Sequence, residues 1–238
     1  MSNVSLIIEE RPAQIGSFLV GRLLPFKEKR MVGPFAFIDH MGPAELAAGE
    51  ALDVPPHPHI GLSTLTYLFE GSIMHRDSLG TEVEIVPGQV NWMTAGNGIV
   101  HSERSPDYQR NTARKLHGLQ IWVALPKELE QIEPAFSHHE GSDLPSWDEN
   151  GASFRLIAGK AFGRESKVPV YSDLYLVEVR ANEKVHLDLS GKLYGESGLY
   201  ILEGKVSTGG HDFGPKQLLV STEPETCGFG MEAGTTVY

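Results

Sequence analysis

Histidine and glutamate side chains that recur two residues apart are what could do chemistry in this chain of 238 residues. His57 and His59 stand in PPHPHIGLSTLTYLFEG, and His101 and Glu103 in NWMTAGNGIVHSER. In an extended strand, residues two apart share a face. Each segment therefore puts two ligand-type side chains on one side of its strand. Neutral imidazoles and a carboxylate suit a divalent transition metal such as iron, copper, nickel or zinc, with positions left for water or substrate. Either pair alone reads equally well as ordinary surface or core residues. The two together, each beside Gly/Pro turns and an apolar strand, favour a metal centre made of His57, His59, His101 and Glu103.

Other candidates carry less. His75, in MHRDSLG, follows a Glu-Gly turn and reads as a structural or pocket-wall residue rather than a ligand. His40, in FIDHMGP, reads as holding a turn, and His117 has no assigned face. His138 and His139 lie in the polar stretch HHEGSDLPSWDENG and read as solvated. His186 and His211 are isolated, so no second metal is expected. Cys227 is the only cysteine, which excludes an internal disulfide, and it reads as a buried small residue rather than a nucleophile. No Ser-His-Asp order, nucleotide-binding glycine motif or CxxC is present.

The elements that must position these residues are strands. The 26 glycines and 15 prolines are scattered, as punctuation between many short strands would be. Strand-like runs cover 17–24, 34–39, 63–69, 82–86, 89–93, 116–124, 154–158, 174–180, 199–203 and 217–221. LPKELEQIEP, from Leu125 to Pro134, is the one short helical turn expected. TYLFEGSIMH (66–75) echoes LYILEGKVST (199–208): an aromatic-apolar strand, Glu-Gly, then a second strand. An all-β chain of two tandem barrels follows, with domains expected at 1–135 and 136–238. If 55–69 is one strand, Leu65, Tyr67 and Phe69 share the face of His57 and His59 and form an apolar pocket wall. A bulge at Gly61 would break that parity.

The formal charge is −11 and the pI about 5.3, which disfavours direct nucleic-acid binding and permits a protein partner. The one dense basic patch, KEKR at 27–30, is short and contains a Glu. No run of 18 apolar residues exists, so no membrane-spanning helix is expected. The opening MSNVSLIIEERPAQ lacks the basic and apolar regions of a secretory signal. With a single cysteine, this leads to the expectation of a cytoplasmic protein.

GPFAFIDHMGP, PPHPHIGLSTLTYLFEG, HRDSLG, NWMTAGNGIVHSER and HGLQIWVALP together resemble the pirin family of the cupin superfamily. The match is dense from Gly33 to Pro126 and looser beyond. The resemblance implies a bicupin, with one metal in the N-terminal barrel on His57, His59, His101 and Glu103. It implies Fe(II), with copper, nickel, cobalt, manganese or zinc tolerated. Some bacterial pirins resemble quercetin 2,3-dioxygenases, which open a flavonol ring with O2 and release carbon monoxide. For this chain that implies a small aromatic or enolic substrate, with Glu103 as the catalytic base. The alternative is a regulatory protein that binds a transcription factor or metabolic enzyme, with the metal's redox state as the switch. Two departures stand out. Cupins often carry a Glu four residues after the HxH pair, where this chain has Ser63. The closing GTTVY reads like the start of a strand, so the second barrel is expected to be cut short at Tyr238.

Overall fold

The computed structural model describes residues 4–15, 18–222 and 228–238. Ser17 and Cys227, on which expectations were placed, lie outside the described residues. The first strands are β1 (Leu6–Glu9), β2 (Arg11–Ile15), β3 (Phe18–Leu24), β4 (Phe35–Leu46), β5 (Asp53–His59) and β6 (Leu62–Glu70). They are followed by β7 (Ile73–Asp77), β8 (Glu82–Ile85), β9 (Val90–Thr94), β10 (Ile99–Arg104), β11 (Arg114–Ala124) and β12 (Ala135–His139). The chain forms two compact units. One is Arg11–Gly141; the other joins Ser142–Tyr238 to the first ten residues.

The first unit is built from two antiparallel sheets. The larger runs β12-β9-β6-β11-β4-β3-β2 and the smaller β5-β10-β7-β8. Apolar residues alternate along these strands and meet as a core of Phe18, Val20, Met41, Leu46, Leu52, Leu68, Ile73, Ile85 and Leu116. β12 belongs to this unit, although the expected boundary at 135/136 gives most of it to the second. It pairs along β9 from Ala135 opposite Thr94 to His139 opposite Val90, and so covers backbone groups that an open edge would expose. Among the described residues of this unit helix is confined to single turns, including a 3-10 turn at Lys127–Leu129 inside the expected helical segment.

In the second unit the larger sheet contains Ser146–Glu149, Ala152–Ala161, Tyr175–Ala181, Thr236–Val237, Ser197–Glu203 and Gln217–Ser221. β1 closes it by pairing antiparallel with Gln217–Ser221, and Ile8 is fully buried. The smaller sheet contains Val185–Asp188, Gly228–Met231, Val206–Thr208 and His211–Phe213. The interior is apolar, with Phe154, Leu156, Val179, Ile201, Val206, Phe229 and Met231 among its residues.

The sequence echo corresponds to one device used in both units. After β6, Gly71 turns the chain into β7 at φ 82°; after Ser197–Glu203, Gly204 turns it into Val206–Thr208 at φ 81°. Each turn carries the chain from the larger sheet to the smaller. A Cβ at Gly71 would lie 2.3 Å from the Lys115 carbonyl oxygen, and one at Gly204 would lie 2.4 Å from Thr235 Oγ1. Both the left-handed backbone and the close approach require glycine. No helix among the described residues is long and apolar enough to cross a membrane.

Candidate metal centre

The smaller sheet of the first unit brings the two sequence pairs together. β5 and β10 run antiparallel with His57 directly opposite His101. The rings of His57, His59 and His101 lie 4.4–5.0 Å apart between centroids. Their candidate ligand atoms all fall within 4.8 Å of one another. The register shifts between His101 and Glu103, so Glu103 stands opposite Val54 instead of continuing the β5 ladder. On the other flank of β10, β7 places Asp77 opposite His101 and His75 opposite Glu103. Glu103 therefore groups with His75 and His101, and His101 is common to both sets.

Each imidazole is prepared to offer a lone pair. His57 Nδ1–H donates to the Pro55 carbonyl at 2.9 Å, which leaves Nε2 bare. His101 Nε2 is buried without a hydrogen-bond partner. Such a group costs about 1–3 kcal/mol unless something satisfies it, and a cation beside two further imidazoles would. Burial, then the neighbouring His101 and His57, pushes His59 down to about 4. Burial, then His57 and His75, pushes His101 down to about 3. Both rings are neutral at neutral pH, the form that ligates. The donor set fits a divalent transition metal.

These depressed values have a consequence for stability. Between about pH 6.5 and the folded-state values, about pH 4 for His59 and about pH 3 for His101, the unfolded chain binds protons on these histidines that the folded chain excludes. Stability of the metal-free protein is therefore complete above about pH 6.5 and falls as the pH drops through this window. Thermal unfolding of metal-free protein across it is expected to show this decline. A His101→Asn variant should show a shallower one, and an identical slope would refute the assignment.

Around Glu103 the site is polar. Thr66 Oγ lies 2.9 Å from Glu103 Oε1 and 3.0 Å from Gln120 Oε1. A hydroxyl has one proton to give. All three groups are satisfied when the Gln120 amide turns its Nε2–H toward Thr66 and Thr66 donates to Glu103. Aromatic rings flank the histidines: Trp122 meets His59 edge-on at 5.0 Å and stacks on Phe37 at 4.1 Å. Phe136 stacks on His75 at 4.5 Å.

Three expectations need correction. Leu65, Tyr67 and Phe69 do not share the histidine face, because Thr66, on the alternate face of β6, is the residue that reaches Glu103. Gly61, at φ 69°, lies between β5 and β6, where the chain changes sheets, which resets the alternation. His40 does not hold a turn; it is buried on β4 with its Nε2 2.7 Å from His117 Nε2. His138 is half-buried on β12, with Nδ1 2.7 Å from Asn91 Oδ1. Thr66, Gln120, Trp122 and Phe136 were not singled out from sequence, since nothing in their spacing marks them. For His75 a signal was present: His75 and Asp77 are another pair two residues apart.

The AGNG turn sets where β10 begins. Gly96 has φ 51°, and a Cβ there would lie 1.9 Å from the Ile132 carbonyl oxygen. That carbonyl accepts the Asn97 N–H at 2.8 Å. Gly96→Ala is expected to destabilise the protein by at least about 1 kcal/mol, measured by denaturant unfolding, because both the backbone angle and the packing resist it.

Comparisons with known proteins bear on this site. A family model described as Pirin matches residues 17–123. A pirin-like protein of Caulobacter vibrioides is 48% identical over 237 residues, a match covering 98% of this chain and 82% of that one. A Pseudomonas aeruginosa protein, provisionally named a quercetin 2,3-dioxygenase, is 45% identical over 213 residues, covering 89% of this chain and 65% of that one. The crystal structure of quercetin 2,3-dioxygenase from Acinetobacter baumannii superposes with a TM-score of 0.89 at 35% identity, over 98% of this chain and 76% of that one.

Proposed function

The chain belongs to the pirin family, and from that membership we propose that it is a metal-dependent dioxygenase of the quercetin 2,3-dioxygenase type, acting on a flavonol or a related enolic or phenolic ring. The bare, buried Nε2 of His101 beside His57 and His59 is the observation that most supports it. His57, His59 and His101 would hold the metal, Fe(II) being the expected ion, with Glu103 as a fourth donor on the His101 side. What a bound divalent ion supplies is Lewis acidity toward an enolic hydroxyl and a site for its reaction with O2.

The chain's own residues do the rest. Glu103 is the base that takes the proton of the substrate hydroxyl. Thr66 holds its Oε1, which leaves Oε2 to receive that proton. Trp122, stacked on Phe37, gives the aromatic substrate a flat apolar surface next to His59. Phe136 shields the His75 side from water.

The test is direct. Iron-loaded protein is mixed with quercetin in air, and the loss of flavonol absorbance is followed beside a His57→Ala control. Turnover by the native protein and none by the control is the expected result. A fully iron-loaded protein that leaves quercetin and simpler enolic or phenolic substrates unchanged would overturn the reading.

A further inference from the structure

His101 is not alone on its far side. His75 Nδ1 lies 3.5 Å from His101 Nδ1, and His75 Nε2 lies 3.1 Å from Asp77 Oδ2. The His75 and Asp77 side chains are 3% and 0% exposed. Asp77 is itself fixed, because its Oδ1 accepts the N–H groups of Leu79 at 2.9 Å and Thr81 at 3.1 Å. Phe136 fixes the plane of the His75 ring.

We propose that Asp77 and His75 are positioning residues that hold His101 in the tautomer whose Nε2 is free to bind metal. The proposal rests on the metal-site reading above, and proton bookkeeping leads to it. Asp77 Oδ2 can only accept, so His75 carries its proton on Nε2. His75 Nδ1 is then a lone pair, and His101 meets it with Nδ1–H. Nε2 of His101 is left bare, as the orphaned atom requires. The bond between the two rings is long at 3.5 Å, but it is the one hydrogen bond that the His101 ring makes among the described residues. In this arrangement the carboxylate acts through two rings, so neither Asp77 nor His75 needs to touch the metal.

Asp77→Asn reverses the relay without removing it. The two backbone N–H groups require an oxygen where Oδ1 stands, so the amide nitrogen must face His75. His75 Nε2 then has to accept, its proton moves to Nδ1, and His101 is driven to carry its own proton on Nε2. Zn(II) affinity, measured by competition with a chromogenic chelator, is expected to fall about 10- to 100-fold, with the thermal unfolding midpoint of the metal-free protein little changed. Imidazole 15N spectra of metal-free protein give the second readout, one that a merely structural role would not move. The native spectrum should show the His101 proton on Nδ1, and the Asp77→Asn spectrum should show it on Nε2. A native His101 protonated on Nε2 overturns the proposal whatever the variant does. So does a folded Asp77→Asn protein with native Zn(II) affinity. If the native chain bound no divalent ion, the functional reading would fall, while the native 15N spectrum would still decide the relay.

Discussion

His101→Ala is expected to abolish metal binding and flavonol turnover together. His101 belongs to both groups of candidate ligands, the three histidines and the set with His75 and Glu103. Its ring sits 4.4 Å from His57, 5.0 Å from His59 and 5.2 Å from His75. Alanine removes the one donor that neither group can replace, and it leaves a gap at a position only 2% exposed. Elemental analysis should fall from about one ion per chain to nearly none, as loss of a shared ligand from an N/O site requires. Quercetin consumption should fall to the rate seen without protein, with the β-rich circular dichroism preserved. A variant that keeps both the ion and the turnover would show that His101 is not a ligand.

Glu103→Gln should separate two roles that His101→Ala merges. Glutamine keeps the size of the side chain and an oxygen that can still accept the Thr66 hydroxyl. It loses the negative charge and the basicity. The three histidines gather without Glu103, so at least partial metal binding should survive. Turnover should fall by roughly 10²-fold or more, the scale of a lost general base. Metal content and rate must be measured on the same sample. A fully metallated variant with near-normal turnover would remove Glu103 from the chemistry.

Much of this site was legible in the sequence, for a physical reason. Alternation along a strand is rigid, so His57 with His59 and His101 with Glu103 could be paired before any fold was known. Antiparallel registry then set His57 opposite His101. Alternation fails where the chain leaves its sheet. Gly61 is such a place, and the apolar wall extrapolated across it fell on the wrong face. The strand runs themselves were legible, down to Gln217–Ser221, because apolar alternation and glycine turns bound them. β1 and β12 were not, because each is short and becomes a strand only through a partner distant in sequence. Thr66 and Gln120 were invisible for the same reason: they acquire a role only when β6, β10 and β11 are brought together.

The pairing of β1 bears on the order in which the protein can be made. Ser5 donates to the Val220 carbonyl through both its backbone N–H and its hydroxyl, across 215 residues of sequence. A ribosome delivers β1 long before the strand it pairs with. The unit Arg11–Gly141 is continuous and can close while synthesis goes on, but the other unit must wait. Through that interval Ile8, fully buried at the end, has no finished strand to lie against. The entropy of joining such distant ends grows only slowly with their separation, so the delay is one of timing more than of stability. Residues 142–238 made alone would leave Gln217–Ser221 as a bare sheet edge, open to pairing with a strand from another chain.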